Sequence, residues 1–138
     1  MNRGILLDTG PLVAFLNQRD RYHDWALVQW GQIAPPLLTC EAVLSEACFL
    51  LGAARDGSDA VVQMLERKII IVSFHLADHI QPVAKLLVKY SSVPMSLADA
   101  CLVRMSEVYP DSRVFTLDSD FELYRKNGRQ VIPAIMPQ

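Results

Sequence analysis

Four carboxylates in this chain have the type and placement to do chemistry together: Asp8, Glu46, Asp99 and Asp118. Asp8 closes the apolar run Ile5-Leu6-Leu7, and Asp118 closes Arg113-Val114-Phe115-Thr116-Leu117. Each aspartate alone also reads as an Asx turn or helix N-cap, which Asp favours where a strand gives way to a helix. Glu46 is harder to explain that way. It lies in AVLSEACFLL, and its helical partner offsets hold Ala42, Val43, Phe49 and Leu50 rather than Lys or Arg. Such a carboxylate either sits on a partly exposed helix edge or needs a partner, a proton or a metal. Asp99, in PMSLADACLV, follows Ser96 by three residues, so the two also read as a capping-box-like pair.

Four carboxylates brought to one place repel strongly. One pair at ~4 Å costs about 4 kcal/mol at an effective dielectric of about 20. Divalent cations offset this, and an all-oxygen ligand set selects Mg²⁺ or Mn²⁺ over zinc. The chemistry such a site serves is phosphoryl transfer or hydrolysis with one or two metals.

The elements that must position these acids alternate between β-like and helical runs. Strands are expected at Ile5-Leu7, Leu37-Thr39, Ile69-Val72 and Arg113-Leu117, with a last one near Val131-Ile132. Helices are expected from Pro11 to about Asn17, Tyr22 to Gln32, Glu41 to Ala54, after a Ser58 cap to Arg67, and from Ser96 to Tyr109. Leu76 to Tyr90 also reads as helix, against the objection of Pro82, and a short helix follows Asp118 to about Lys126. This alternation predicts an α/β domain with a mainly parallel central sheet flanked by helices. In such sheets sites form at the carboxyl ends of the strands. If the first and fourth strands are neighbours, Asp8 and Asp118 share one crevice.

The length of 138 residues suits one domain spanning 1–138, and 51% hydrophobic residues suffice for a core without disulfides. The formal net charge of −2 argues against a protein that grips long nucleic acid non-specifically. Nucleic acid, if bound, is held locally where metal ions supply positive charge. Cys40, Cys48 and Cys101 show no CxxC spacing, and the latter two read as small buried hydrophobes. The N-terminal apolar run is too short for a signal peptide, and no stretch has membrane-spanning length. The expectation is a reduced, cytoplasmic protein with no membrane association.

Other motifs carry less. His75 and His79 in HLADH lack the adjacent Glu of a zinc protease motif and read as exposed helix histidines. His23 and Asp20 are expected to stabilise the turn between the first two helices. Arg104, Arg125, Lys126 and Arg129 form a charged solvated face by default, or track an RNA backbone. Trp25 and Trp30 read as core, and excess apolar surface beside them would suit a partner. There is no GxGxxG, P-loop or GxSxG motif.

LLDTGPLVAFL, EAVLSEACFLL, SLADACLV and TLDSDF, in this order and spacing over essentially the whole chain, resemble PIN-domain nucleases, in particular the VapC-type toxins of toxin–antitoxin pairs. RDRYHDWA also looks like this branch. The resemblance implies a PIN fold and makes Asp8, Glu46, Asp99 and Asp118 the catalytic and metal-binding acids, with Mg²⁺ or Mn²⁺ as cofactor. Glu41 is the rival of Glu46 and Asp120 of Asp118; the pattern matches Glu46 and Asp118 better. Thr9, Thr116 and Asp120 take supporting roles. The implied reaction is endonucleolytic hydrolysis of single-stranded RNA to a 5′ phosphate and a 3′ hydroxyl. The implied partners are RNA, a cognate antitoxin and a second copy of the chain.

Three alternatives compete. A non-catalytic PIN module binding RNA or protein would predict a broken acidic set. A PIN nuclease that processes RNA without an antitoxin is the second. An aspartyl phosphatase or a receiver domain is the third, but Gly10 stands where the phosphatase needs a second Asp. A receiver would need an acidic pair by the first strand and a lysine after the last.

Overall fold

The structure, a computed structural model, describes residues 4–52 and 57–138. Five short strands form a parallel sheet in the order β3-β2-β1-β4-β7: β1 (Ile5–Leu7), β2 (Leu37–Thr39), β3 (Ile70–Val72), β4 (Arg113–Phe115) and β7 (Ala134–Ile135). β1 pairs with β4 in the register Leu6 to Val114 and Leu7 to Phe115, and with β2 at Leu6 to Leu38. Neighbouring, parallel β1 and β4 put Asp8 and Asp118 at the same carboxyl end of the sheet. The helices are α1 (Thr9–Leu16), α2 (His23–Gln32), α3 (Glu41–Leu51), α4 (Gly57–Glu66), α5 (Ile80–Lys89) and α6 (Leu97–Val108).

The period-two alternation of strand side chains divides the core. Leu6 and Val114 point to one face, where they pack with Val83, Leu86 and the buried side of α6. Ile5, Leu7, Leu37, Ile70 and Phe115 point to the other, against α1, α2 and α4. α3 serves both, with Val43 on the first face and Ala47 and Leu51 on the second. Trp30 is buried, stacks on Phe15 and donates its indole N–H to Pro11 O at 3.2 Å; Trp25 is half-buried with its ring against Phe115. Cys40 and Cys101 are buried, whereas Cys48 is only partly so. No helix among the described residues is long and apolar enough to cross a membrane.

Five expectations change in detail. The 76–90 segment is two pieces, a 3-10 turn at Leu76–Asp78 and then α5. Pro82 falls in the first turn of α5, where its missing N–H forfeits no intrahelical bond. The histidines therefore flank the short turn rather than share a helix side: His75 is exposed, while half-buried His79 stacks on Phe74 and accepts from Arg104 Nε at 3.2 Å. Beyond Asp118 the helix is a 3-10 turn, Ser119–Glu122, followed by an antiparallel hairpin of β5 (Arg125–Lys126) and β6 (Gln130–Val131). Asn127 (φ 52) and Gly128 (φ 85) turn that hairpin in the left-handed region. The strand expected near Val131-Ile132 is thus a hairpin arm, and β7 closes the main sheet instead. The expected end of α3 at Ala54 and the turn at Asp56 lie outside the described residues; Ser58 falls within α4 rather than ahead of it.

Candidate active site

Asp8 leaves β1 in extended conformation (ψ 169) and becomes the N-cap of α1. Its Oδ1 accepts from the Thr9 N–H at 2.7 Å, and its Oδ2 accepts from the Thr116 hydroxyl at 2.7 Å. The same Thr116 Oγ1 accepts from the Asp118 N–H at 2.9 Å. One hydroxyl thus ties the ends of β1 and β4 together. Asp118 in turn accepts from the Asp120 N–H at 2.9 Å and caps the 3-10 turn. Gly10 permits this closeness, since a Cβ there would stand 3.0 Å from the Leu117 Cβ.

Asp99 enters from α6. Ser96 Oγ accepts from the Asp99 N–H at 3.0 Å and Asp99 Oδ2 accepts from the Ser96 N–H at 3.4 Å, a reciprocal capping box. This fixes the first turn of α6 and is worth ~1 kcal/mol. The Tyr124 hydroxyl donates to Asp99 Oδ2 at 2.9 Å. So Asp99 is both part of a helix cap and one of the three aspartates of this acidic corner. Tyr124, fully buried, is a contributor that sequence reasoning missed.

Electrostatics joins the three aspartates. Burial pushes the Asp8 carboxyl up to about 7, the charges of Asp99 and Asp118 add to this, and the Thr116 and Thr9 hydrogen bonds oppose it. Burial also raises Asp99, with a further push from Asp118 and a counterpull from Tyr124 and Ser96. Tyr124 is pushed well up by burial and by the carboxylate it serves. Asp118 is the rival whose charge reaches both other aspartates, while half-buried Asp120 acts on Tyr124.

The two candidate glutamates are placed differently. Glu46 is exposed on α3, one turn beyond Ala42 and Val43, which pack toward α6. Glu41, also exposed, lines a groove of about 360 Å³ with Cys40, Ser45, Phe74 and Cys101. Among the described residues, no three His, Cys, Asp or Glu side chains are drawn tightly enough together to hold a metal ion as they stand. The donors nevertheless fit a hard divalent cation in type: carboxylate oxygens, plus the buried Thr9 Oγ1, which has no hydrogen-bond partner. A cation there would offset the burial that raises Asp8 and the charges of Asp99 and Asp118 that add to it.

The remaining sequence candidates serve structure. His23 Nδ1 donates to Ala14 O at 2.7 Å, and Asp20 accepts from the Tyr22 N–H at 2.8 Å, which together fix the α1–α2 turn. Lys126 is buried and donates to Pro110 O at 2.9 Å, so it belongs to no solvated face. Arg104 pairs with Glu107 at 3.1 Å; Arg129 is exposed.

A family model described as the PIN domain matches residues 5–127. Among solved structures, the crystal structure of VapC20 of Mycobacterium tuberculosis, described as a sarcin-ricin loop cleaving toxin, matches with a TM-score of 0.79. The identity is 23%, over 87% of this chain and 94% of that one. No curated protein gives a significant match.

Proposed function

This chain belongs to the PIN-domain family, and from that premise we propose that it is a metal-dependent endoribonuclease, the toxin of a toxin–antitoxin pair. The observation that carries the reading is the corner of buried Asp8 and Asp99 with half-buried Asp118, whose charge adds to the burial that raises both, while hydroxyls of Thr116 and Tyr124 hold the carboxylates in place. Uncompensated, that corner costs stability; a divalent cation makes it useful.

Asp8, Asp99, Asp118 and the exposed Glu46 would hold Mg²⁺ or Mn²⁺, with Thr9 and Asp120 in support. Bound there, the metal would lower the pKa of a water to give a nucleophile and neutralise charge on the phosphate. The chain's own residues do the positioning. Thr116 fixes the Asp8 carboxylate and sets its distance from Asp118. Tyr124 and Ser96 orient Asp99 through its Oδ2, leaving Oδ1 without a hydrogen-bond partner among the described residues. Burial of Asp8 keeps its charge poorly solvated, which strengthens its attraction for a cation. The products would carry a 5′ phosphate and a 3′ hydroxyl. VapC20 is described as cleaving the sarcin-ricin loop, which supports RNA as the substrate class here. The reading names a cognate antitoxin and a second copy of the chain as protein partners.

The exposed position of Glu46 favours one other reading, a PIN module that binds RNA without cutting it. Cleavage of a mixed single-stranded RNA pool separates the two, run with Mn²⁺, with EDTA, and with Asp8→Asn. Cutting that needs Mn²⁺ and falls on the order of a thousandfold in Asp8→Asn is the expected result. A folded, metal-binding protein that leaves every RNA intact would reject the nuclease.

A further inference from the structure

On the far side of α6 from α3, the α5 helix and the β5–β6 hairpin leave an open groove of about 400 Å³. Lys85 and Lys89 line it from α5, one turn apart on the same helix face, and Arg125 lines it from the hairpin. Pro82 and Leu86 contribute apolar surface. Among the described residues the one carboxylate lining the groove is Glu107, and both of its oxygens are engaged elsewhere. Oε1 accepts from Arg104 at 3.1 Å and Oε2 from the Asn127 N–H at 2.7 Å. The groove therefore presents three cations to solvent against one internally compensated acid, in a chain whose formal net charge is −2.

The cations are partly arranged in advance. Arg125 Nη1 donates to the Tyr124 carbonyl at 3.0 Å and to the Glu122 carbonyl at 2.6 Å, which holds the guanidinium at the rim. Lys89 Nζ donates to Gly128 O at 3.0 Å and lies over the Tyr90 ring. Lys85 is exposed and makes no hydrogen bond or ion pair among the described residues. The groove also connects to the acidic corner through covalent and hydrogen-bonded links. Arg125 directly follows Tyr124, whose hydroxyl is on Asp99, and the Arg125 N–H donates to the Tyr90 hydroxyl at 2.9 Å. Arg125 is therefore the groove cation nearest in the chain to the Tyr124–Asp99 link.

We propose that this groove holds backbone phosphates of the RNA strand that is cut at Asp8, Asp99 and Asp118. The proposal rests on the nuclease reading and adds where the flanking strand lies. It also answers how an acidic protein retains RNA: the affinity is concentrated in one cationic strip beside the site rather than spread over the surface. Sugar and base edges would rest on Pro82 and Leu86.

The test uses a labelled single-stranded RNA and fluorescence anisotropy over a salt series, in an Asp8→Asn background that leaves the RNA uncut. Adding Lys85→Ala and Lys89→Ala should weaken binding roughly tenfold at ~0.15 M salt and reduce the slope of log K against log salt by about 1.4, at about 0.7 per phosphate contact on a single strand. Lys85→Ala alone should remove about half of that slope change. Arg19→Ala with Arg67→Ala, exposed residues outside the groove with the same loss of charge, should change neither. An unaltered slope in the lysine variant, or an equal loss in the arginine control, would overturn the groove while leaving cleavage by the unsubstituted protein intact. Failure of any of these proteins to bind RNA, with no cleavage by the unsubstituted chain, would remove both the groove and the nuclease.

Discussion

At the carboxyl end of β1, Asp8 is buried and both its oxygens accept hydrogen bonds, one from the Thr9 N–H and one from the Thr116 hydroxyl. On α3, Glu46 stands in solvent with no side-chain hydrogen bond among the described residues. The strand-end carboxylate is buried, hydrogen-bonded and electrostatically unfavourable, and the helix-borne one is exposed and unconstrained by hydrogen bonds among the described residues. Asp8 cannot move away from its neighbours, because the ladder bond from its N–H to Phe115 O at 3.0 Å and the Thr116 bridge hold it. Glu46 loses only side-chain entropy if it swings toward a cation. On the proposed reading the two regions would divide the labour: the fixed acids would define where a cation sits, and Glu46 would complete the set when it arrives.

The largest effect of this contrast should be on stability against pH. Asp8 titrates at about 7 in the folded chain against 3.8 for the unreacted side chain, so between those values the native state holds a proton that the unfolded state has lost. The stabilisation is fully present below about pH 4 and is lost as pH rises toward 7, by about 4 kcal/mol for this group at roughly 1.4 kcal/mol per unit. Denaturant unfolding of metal-free protein across that window should show the decline. Asp8→Asn should flatten it, and so should saturating Mn²⁺ by binding only the folded state.

Thr116→Val cuts the bridge between Asp8 and Asp118 while keeping the shape of the side chain. Calorimetric titration should find Mn²⁺ affinity lowered about 10- to 100-fold, the usual result of losing a group that orients a ligand. Tyr124→Phe removes the donor to Asp99 and should cost about 1–2 kcal/mol in denaturant unfolding, with a smaller loss of metal affinity. Glu46→Gln marks the other end of the scale. Its melting midpoint without metal should stay within about 0.5 kcal/mol of the parent, as for an exposed site, yet the stabilisation by Mn²⁺ should shrink. A large metal-free loss in Glu46→Gln would break the comparison.

The same contrast governs what was legible in the sequence. Asp8 and Asp118 could be placed because β-branched and apolar runs mark β1 and β4, and an acid directly after each run has one place to go. Ser96 and Asp99 carry a local capping signal, and the capping box forms as read. Tyr124 could not be found, because its link to Asp99 spans 25 residues through a turn and has no periodic signature. β7 is a two-residue edge strand after Pro133, too short for an alternation to register, while Val131 beside it looked more strand-like and pairs only within the hairpin. Lys126 was misplaced on the surface because burial of its ammonium depends on the distant Pro110 carbonyl. Local chemistry showed in the sequence where neighbours in the chain supply it, and stayed hidden where the tertiary fold does.

The central claim is that Asp8, Asp99 and Asp118 form a cation site that Glu46 completes. Anomalous scattering from crystals soaked in Mn²⁺ tests it most directly. The expected result is a manganese peak bonded to an Asp8 oxygen, with Asp99 or Asp118 beside it and Glu46 turned inward. Well-diffracting soaked crystals with no peak at Asp8 would contradict it.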